Sequence, residues 1–256
     1  MAKKKLRIVD QGWELIDKCL KIRQHDFQKE PLFITSQQVK YYTRGLEPRI
    51  LAYQIARESR PLLFQELGLF LLPVSNRKYA ILRGEGYQDL PEISGEPEVY
   101  YPSLNFPLES AKFEMQEMQF LDFAYATSLL RSYMNDDSLL LTIRGRKHLT
   151  RIKFKAGGHN ITAESAITEV DAGYEGRNQI VLLEAKADKF QNFNVRQLYY
   201  PYRLWHDVTN KNVHLFFFST SEGVYSFWKI KFEDPCNFHS IKIEKKAKFR
   251  ISDDVT

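Results

Sequence analysis

The segment TEVDAGYEGRNQIVLLEAKADKFQN, residues 168–192, carries two carboxylates and an amine at spacings that could do chemistry. Glu184 and Lys186 stand two apart in the apolar run QIVLLEAKA. A strand of period two points both to one face and Ala185 to the other. Unpaired charge in so apolar a strand is expensive. Asp171 ends the preceding run, ITAESAITEVD, and if the two strands are neighbours its carboxylate sits beside Glu184. Two carboxylates about 4 Å apart repel by roughly 4 kcal/mol at an effective dielectric of about 20. A divalent cation removes that cost, and carboxylate oxygens with water suit Mg²⁺. An ammonium alongside can position or help deprotonate a water and stabilise charge at phosphorus. The chemistry implied is attack of water on a phosphodiester. The plainer reading is a structural Glu–Lys pair at a sheet edge.

The surrounding elements must position these groups. Strands are expected at 138–145, 149–156, 161–171 and 179–187, with a turn at Gly157-Gly158. A helix follows in FNVRQLYYPYRLWHDVT, carrying Arg196, Gln197 and Arg203, which Pro201 should kink or end. KNVHLFFFST and GVYSFWKIKF read as further strands. The near-unbroken apolar runs at 180–183 and 215–218 belong at the buried centre of a mixed sheet. Ahead of these strands, ESAKFEMQEMQFLDFAYATSLLRSYM reads as one helix with a broad apolar face that includes Phe113 and Met118. The fold class is therefore α/β.

Upstream the pattern changes. A helix at 11–28, a short one after Thr35-Ser36 that Gly45 ends, and a longer one broken at Pro61 precede a strand, a turn at Ser75-Asn76 and a second strand. Helices followed by a hairpin is the order of a winged helix-turn-helix, so residues 1–86 read as a mostly helical, possible DNA-reading domain. Residues 87–109, with four prolines and little periodicity, read as a linker to a second domain at 110–256.

Composition narrows the setting. Of 256 residues, 43% are hydrophobic and 27% charged, an ordinary globular balance. Cys19 and Cys236 stand far apart, which implies neither a disulfide framework nor a metal-ligand spacing. No run approaches the roughly 18 apolar residues of a membrane span, and the basic start lacks the apolar stretch of a signal peptide. The expectation is a soluble cytoplasmic protein. The net charge is +5. TIRGRKHLTRIKFK, residues 142–155, concentrates Arg144, Arg146, Lys147, Arg151, Lys153 and Lys155 without an acid. Read as a hairpin, this block would be neutralised by phosphates with release of counterions, or it guards a solvated sheet edge with cations. His148 and His159 lie near it without a partner at ligand spacing. Tyr199, Tyr200 and Tyr202 could stack on bases or lie in a core.

Taken together, these features resemble the PD-(D/E)xK nuclease superfamily, the fold of most type II restriction endonucleases. Asp171 matches the first acid, Glu184 the second and Lys186 the lysine, with Val170 where the family often has proline. The strand–loop–strand–helix order agrees. Some subfamilies carry Gln-x-x-x-Tyr in the following helix, but here Pro201 stands four after Gln197. EPRILAYQIARESRPLLFQELGLFLLPVS, LTIRGRKH, EVDAGYEG and RQLYYPYRLW are similar to blocks of a group of small type II restriction enzymes. The resemblance implies a restriction-endonuclease-like mixed sheet flanked by helices and Mg²⁺-dependent hydrolysis of double-stranded DNA at a specific sequence, leaving 5′-phosphate ends. Asp171, Glu184 and the Ala185 carbonyl would hold the metal, and Lys186 would act on the attacking water. A helix glutamate is expected to join them, Glu117 or its rival Glu114, with Glu169 a further ligand or a solvated residue. Arg144, Arg146, Lys147, Arg151 and Lys153 would contact DNA. A homodimer is implied because two strand cuts need two sites, and a partner methyltransferase would be encoded nearby. The rival readings are a structure-selective repair nuclease, a non-catalytic DNA-binding module, and an interaction protein that touches no nucleic acid.

Overall fold

The computed structural model describes residues 6–104, 106–109 and 116–252. The chain opens with α1 (Ile8–Leu20), β1 (Leu32–Thr35), α2 (Ser36–Tyr42), α3 (Pro48–Ala52) and α4 (Leu62–Leu67). The hairpin β2 (Leu69–Ser75) and β3 (Lys78–Arg83) follows. Each helix end has a local cause. Lys21 closes α1 in the left-handed region, with its N–H donating to Asp17 O. Thr35 and Gln38 form a reciprocal capping box at the start of α2. Pro48 sits at the first turn of α3, and Gly68 closes α4 at φ 63°. The helix expected to run up to Pro61 stops at Ala52, and a 3-10 turn at Arg57–Ser59 takes its place. β1, β3 and β2 form an antiparallel sheet in that order.

The β2–β3 hairpin is buried on both sides. Leu69, Leu71 and Ile81 pack with Trp13, Ile16 and Phe64, while Phe70, Leu72 and Leu82 point the other way into the core of the large sheet. The period of two thus makes one hairpin the shared wall of two cores. Residues 87–109 carry more than a linker. β4 (Tyr87–Asp89) pairs with β11 (Asn192–Asn194). β5 (Glu98–Tyr100) pairs in parallel with β14 (Ile241–Ile251) at the sheet edge. Each of these strands is three residues long.

The expected single helix before the sheet is two, α5 (Glu117–Ala126) and α6 (Leu129–Met134), parted at Ser128 with φ 64°. Phe113 and Glu114 lie outside the described residues. Next come β6 (Leu140–His148), β7 (Ile152–Ala156), β8 (His159–Ala163), β9 (Ile167–Glu175) and β10 (Gln179–Ala187). After β11, α7 (Arg196–His206) leads to β12 (Asn212–Ser221), β13 (Val224–Phe232) and β14. The seven-stranded sheet has the order β5-β14-β13-β12-β10-β9-β6. β10 and β12 pair in parallel, with α7 as their crossover, and the β6–β9–β10 and β12–β13–β14 pairs are antiparallel.

The basic segment 142–155 is not one hairpin. β6 pairs with β9, whereas β7 pairs with β8 in a separate two-stranded sheet. The expected strand 161–171 is likewise divided, because Ser165 turns the chain at φ 58°. Asp171 therefore lies inside β9 and does not end it. α7 runs through Pro201 without ending there. One face of the sheet packs Val170, Ile180 and Leu182 against Leu198, Tyr199 and Tyr200 of α7. The other packs Ala172, Val181, Leu183 and Ala185 against Leu121 of α5 and Leu129 and Leu130 of α6. The runs 180–183 and 215–218 sit at the buried centre, covered on both faces. Among the described residues no helix is long and apolar enough to cross a membrane.

Candidate active site

The alternation that buries Leu182 against α7 carries Glu184 and Lys186 onto the same face. Glu184 is only 6% exposed. β9 and β10 pair from Ile180–Glu175 to Leu183–Ala172, where the ladder stops. One further step of that register would set Glu184 across from Asp171. Asp171 instead turns its carboxylate to the ladder: Oδ2 accepts from the Ala185 N–H at 2.7 Å. That satisfies a backbone donor on a fully buried residue, a group that would otherwise be costly to leave unpaired.

Four elements meet at this C-terminal end of β10. The Lys186 ammonium donates to Glu184 Oε1 at 2.7 Å and to the Ala185 carbonyl at 2.6 Å. Glu117, the first residue of α5, reaches over from the other face. Its Oε2 lies 3.9 Å from Lys186 Nζ and its Oε1 accepts from the Ala187 N–H at 3.4 Å. From α7, Gln197 Nε2 donates to Glu184 Oε1. Gln197 Oε1 is buried and has no partner among the described residues. Arg144 braces the backbone, its Nε donating to the Asp171 carbonyl at 3.2 Å.

The charge balance of the site is negative. Three carboxylates surround one ammonium. Burial, reinforced by the neighbouring Asp171, pushes the Glu184 carboxyl up to about 8, against the pull of Lys186. Burial also raises Asp171, opposed by the Ala185 N–H and the Lys186 ammonium. For Lys186 burial acts downward, but Glu184, Asp171 and Glu117 outweigh it and its amine is raised. For both acids burial is the larger cause, and like charge adds to it.

Among the described residues no group of three or more His, Cys, Asp or Glu is arranged to hold a metal ion as it stands. The donor chemistry nevertheless fits a hard cation. Glu184 Oε1 and the Ala185 carbonyl already converge on one positive group, the Lys186 ammonium. A metal on those oxygens requires Lys186 to move off them.

The structure therefore brings Asp171, Glu184, Ala185, Lys186 and Glu117 together. The residues expected on DNA are more dispersed. Arg144 pairs with Asp122 at 2.5 Å, Arg146 with Glu169 at 3.3 Å and Arg151 with Glu164 at 4.0 Å. The block lacks acids in sequence, yet neighbouring elements supply them. Lys147 and Lys153 are exposed. His148 is exposed beside the Ser165 carbonyl, and His159 Nε2 lies 2.9 Å from the Phe27 carbonyl, tying β8 to the first domain. Tyr199 and Tyr200 are fully buried and Tyr202 nearly so. Their rings pack against Phe154 and Phe232, so they form core and are not available for base stacking. The acid–lysine spacing does not by itself point to Gln197; its signal is a polar residue at the start of the helix that follows the acid–lysine strand.

Comparison with known proteins gives two family matches. The family described as Domain of unknown function (DUF6997) matches residues 82–250, and that described as Domain of unknown function (DUF6996) matches residues 10–81. The two matches meet within β3. No curated protein and no solved structure matches the chain.

Proposed function

We propose that this chain, which belongs to the DUF6997 family, is a Mg²⁺-dependent endonuclease that hydrolyses phosphodiester bonds of double-stranded DNA at a specific sequence. The observation that carries the reading is the convergence of Glu184 Oε1, the Ala185 carbonyl and the Lys186 ammonium beside Asp171 at one strand end. Bound Mg²⁺ would supply Lewis acidity at the phosphate and lower the pKa of a water. Glu184, Asp171 and the Ala185 carbonyl would hold it. Lys186, once off Glu184, orients the attacking water and faces the charge that develops on phosphorus. Gln197 fixes the rotamer of Glu184, and Glu117 keeps the ammonium near the site from the α5 side. The nuclease resemblance implies that hydrolysis leaves a 5′-phosphate and a 3′-hydroxyl.

The arrangement of a mixed sheet, acids on adjacent strands, a lysine two beyond the second acid and a helix directly after supports the restriction-endonuclease-like reading of the fold. Sequence-specific cleavage is preferred over a structure-selective repair nuclease because of the first domain. Its order α1-β1-α2-α3-α4-β2-β3, with strands arranged β1-β3-β2, keeps the helices-then-hairpin order of a winged helix-turn-helix with one further helix, α4, ahead of the hairpin. A homodimer would supply the second active site for a double-strand cut. The test is nicking of supercoiled plasmid by wild-type protein, Glu184→Ala and Lys186→Met. Mg²⁺-dependent nicking by wild type alone, with all three binding DNA, is expected. Nicking that survives Glu184→Ala would place the chemistry elsewhere, and DNA binding without nicking by the wild type would favour a non-catalytic module.

A further inference from the structure

Where the DNA backbone lies is a separate question, and the block at 142–155 answers it poorly because three of its arginines come paired with acids. A different surface stands out. A groove of about 300 Å³ separates the first domain from the large sheet. Arg49 on α3 and Arg77 at the tip of the β2–β3 hairpin line it from one side. Ile167 at the start of β9 and Arg196 at the start of α7 line it from the other. Tyr53 and Tyr79 add aromatic surface, and no acid lines the groove. Three other grooves of the molecule each carry at least one acid: Asp136, Glu92 and Asp234 respectively.

No side-chain hydrogen bond or ion pair to the protein occupies Arg49, Arg77 or Arg196 among the described residues. Arg196 directly precedes Gln197, whose amide holds Glu184, and its charge is close enough to draw the Glu184 carboxyl downward. One wall of the groove is therefore adjacent in sequence to the residue that holds the proposed catalytic carboxylate. Guanidinium groups match phosphate oxygens with paired N–H donors. Leu71, Pro73 and Ile167 offer an apolar floor for the sugar or base face.

We infer that this groove holds the phosphodiester backbone of the DNA flanking the scissile bond, clamped between the first domain and the N-terminus of α7. The inference rests on the nuclease reading, and its test separates the two. Binding of a labelled duplex to Glu184→Ala protein without Mg²⁺ is followed across a salt series. The same is done with Arg49→Gln and Arg77→Asn added. Asparagine suits the left-handed backbone of residue 77, at φ 70°. Losing two phosphate contacts lowers the salt slope by about 1.8, at about 0.9 per contact. Lysine at both positions keeps the charges and restores the slope, which excludes a folding defect as the cause. An unchanged slope in the Gln/Asn variant overturns the groove and leaves the nuclease reading standing. Failure of the unsubstituted chain to bind or cleave duplex at low salt overturns both.

Discussion

Asp171 has two roles that substitution can separate. Its carboxylate caps the Ala185 N–H where the β9–β10 ladder stops, and its charge presses on Glu184. Asp171→Asn keeps a carbonyl oxygen that can accept from Ala185 while removing the charge. Asp171→Ala removes both. The electrostatic change is common to the two variants, so the stability difference between them isolates the cap. A buried donor left unpaired costs about 1–3 kcal/mol. For a protein of this size each kcal/mol corresponds to about 2–4 °C in Tm, so the Ala variant should melt roughly 2–12 °C below the Asn variant. Thermal denaturation of both by circular dichroism, in EDTA, measures it. Neither variant should cleave DNA. Equal melting temperatures would refute the cap and with it the placement of Asp171 against Ala185. Cleavage by either would refute its role in holding the metal.

Other consequences follow from the charge balance and from packing. Because Glu184 is raised to about 8 from an ordinary 4.5, the folded protein holds that proton more tightly than the unfolded chain. Its contribution to stability is complete below the ordinary value and is lost as pH rises through the raised one. Mg²⁺ must displace the proton, so its binding should strengthen with pH through about 8 and release protons below that value. Calorimetry in buffers of different ionisation enthalpy checks this, and metal binding with no proton release near neutrality would contradict it. Gly173 pairs with Leu182 close to the site, and a Cβ there would meet Ile143 Cβ at 2.7 Å. Gly173→Ala should cost about 1–3 kcal/mol through overpacking. A urea midpoint equal to wild type would show that β6 yields freely.

The residues that chemistry demands were legible in sequence because period two dictates which side chains share a face. Glu184 and Lys186 could be set on one face without knowing any contact, and the buried centre followed from runs too apolar to face water. The β2–β3 hairpin was legible for the same reason. Interruptions caused by single left-handed residues were not. Ser128 divides the helix before the sheet and Ser165 divides the strand before Asp171, and serine carries no signal for positive φ comparable to glycine. Pairing partners were also hidden. The segment at 142–155 looked like an uncompensated hairpin because Asp122, Glu169 and Glu164, which answer its arginines, lie elsewhere in the chain. The reverse holds for Arg49, Arg77 and Arg196. They are scattered in sequence, and only the packing of the first domain against the large sheet gathers them into one groove. The buried tyrosines of α7 show the limit of composition, since an aromatic cluster reads the same whether it faces a base or a core.

The most direct test of the central claim is to incubate the wild-type protein with long unmethylated duplex DNA in Mg²⁺ and, in parallel, in EDTA, and to sequence the ends produced. The account predicts discrete fragments in Mg²⁺ only, with 5′-phosphate ends at one recurring sequence. Intact DNA under both conditions, with unmethylated, methylated and branched substrates alike, would contradict it.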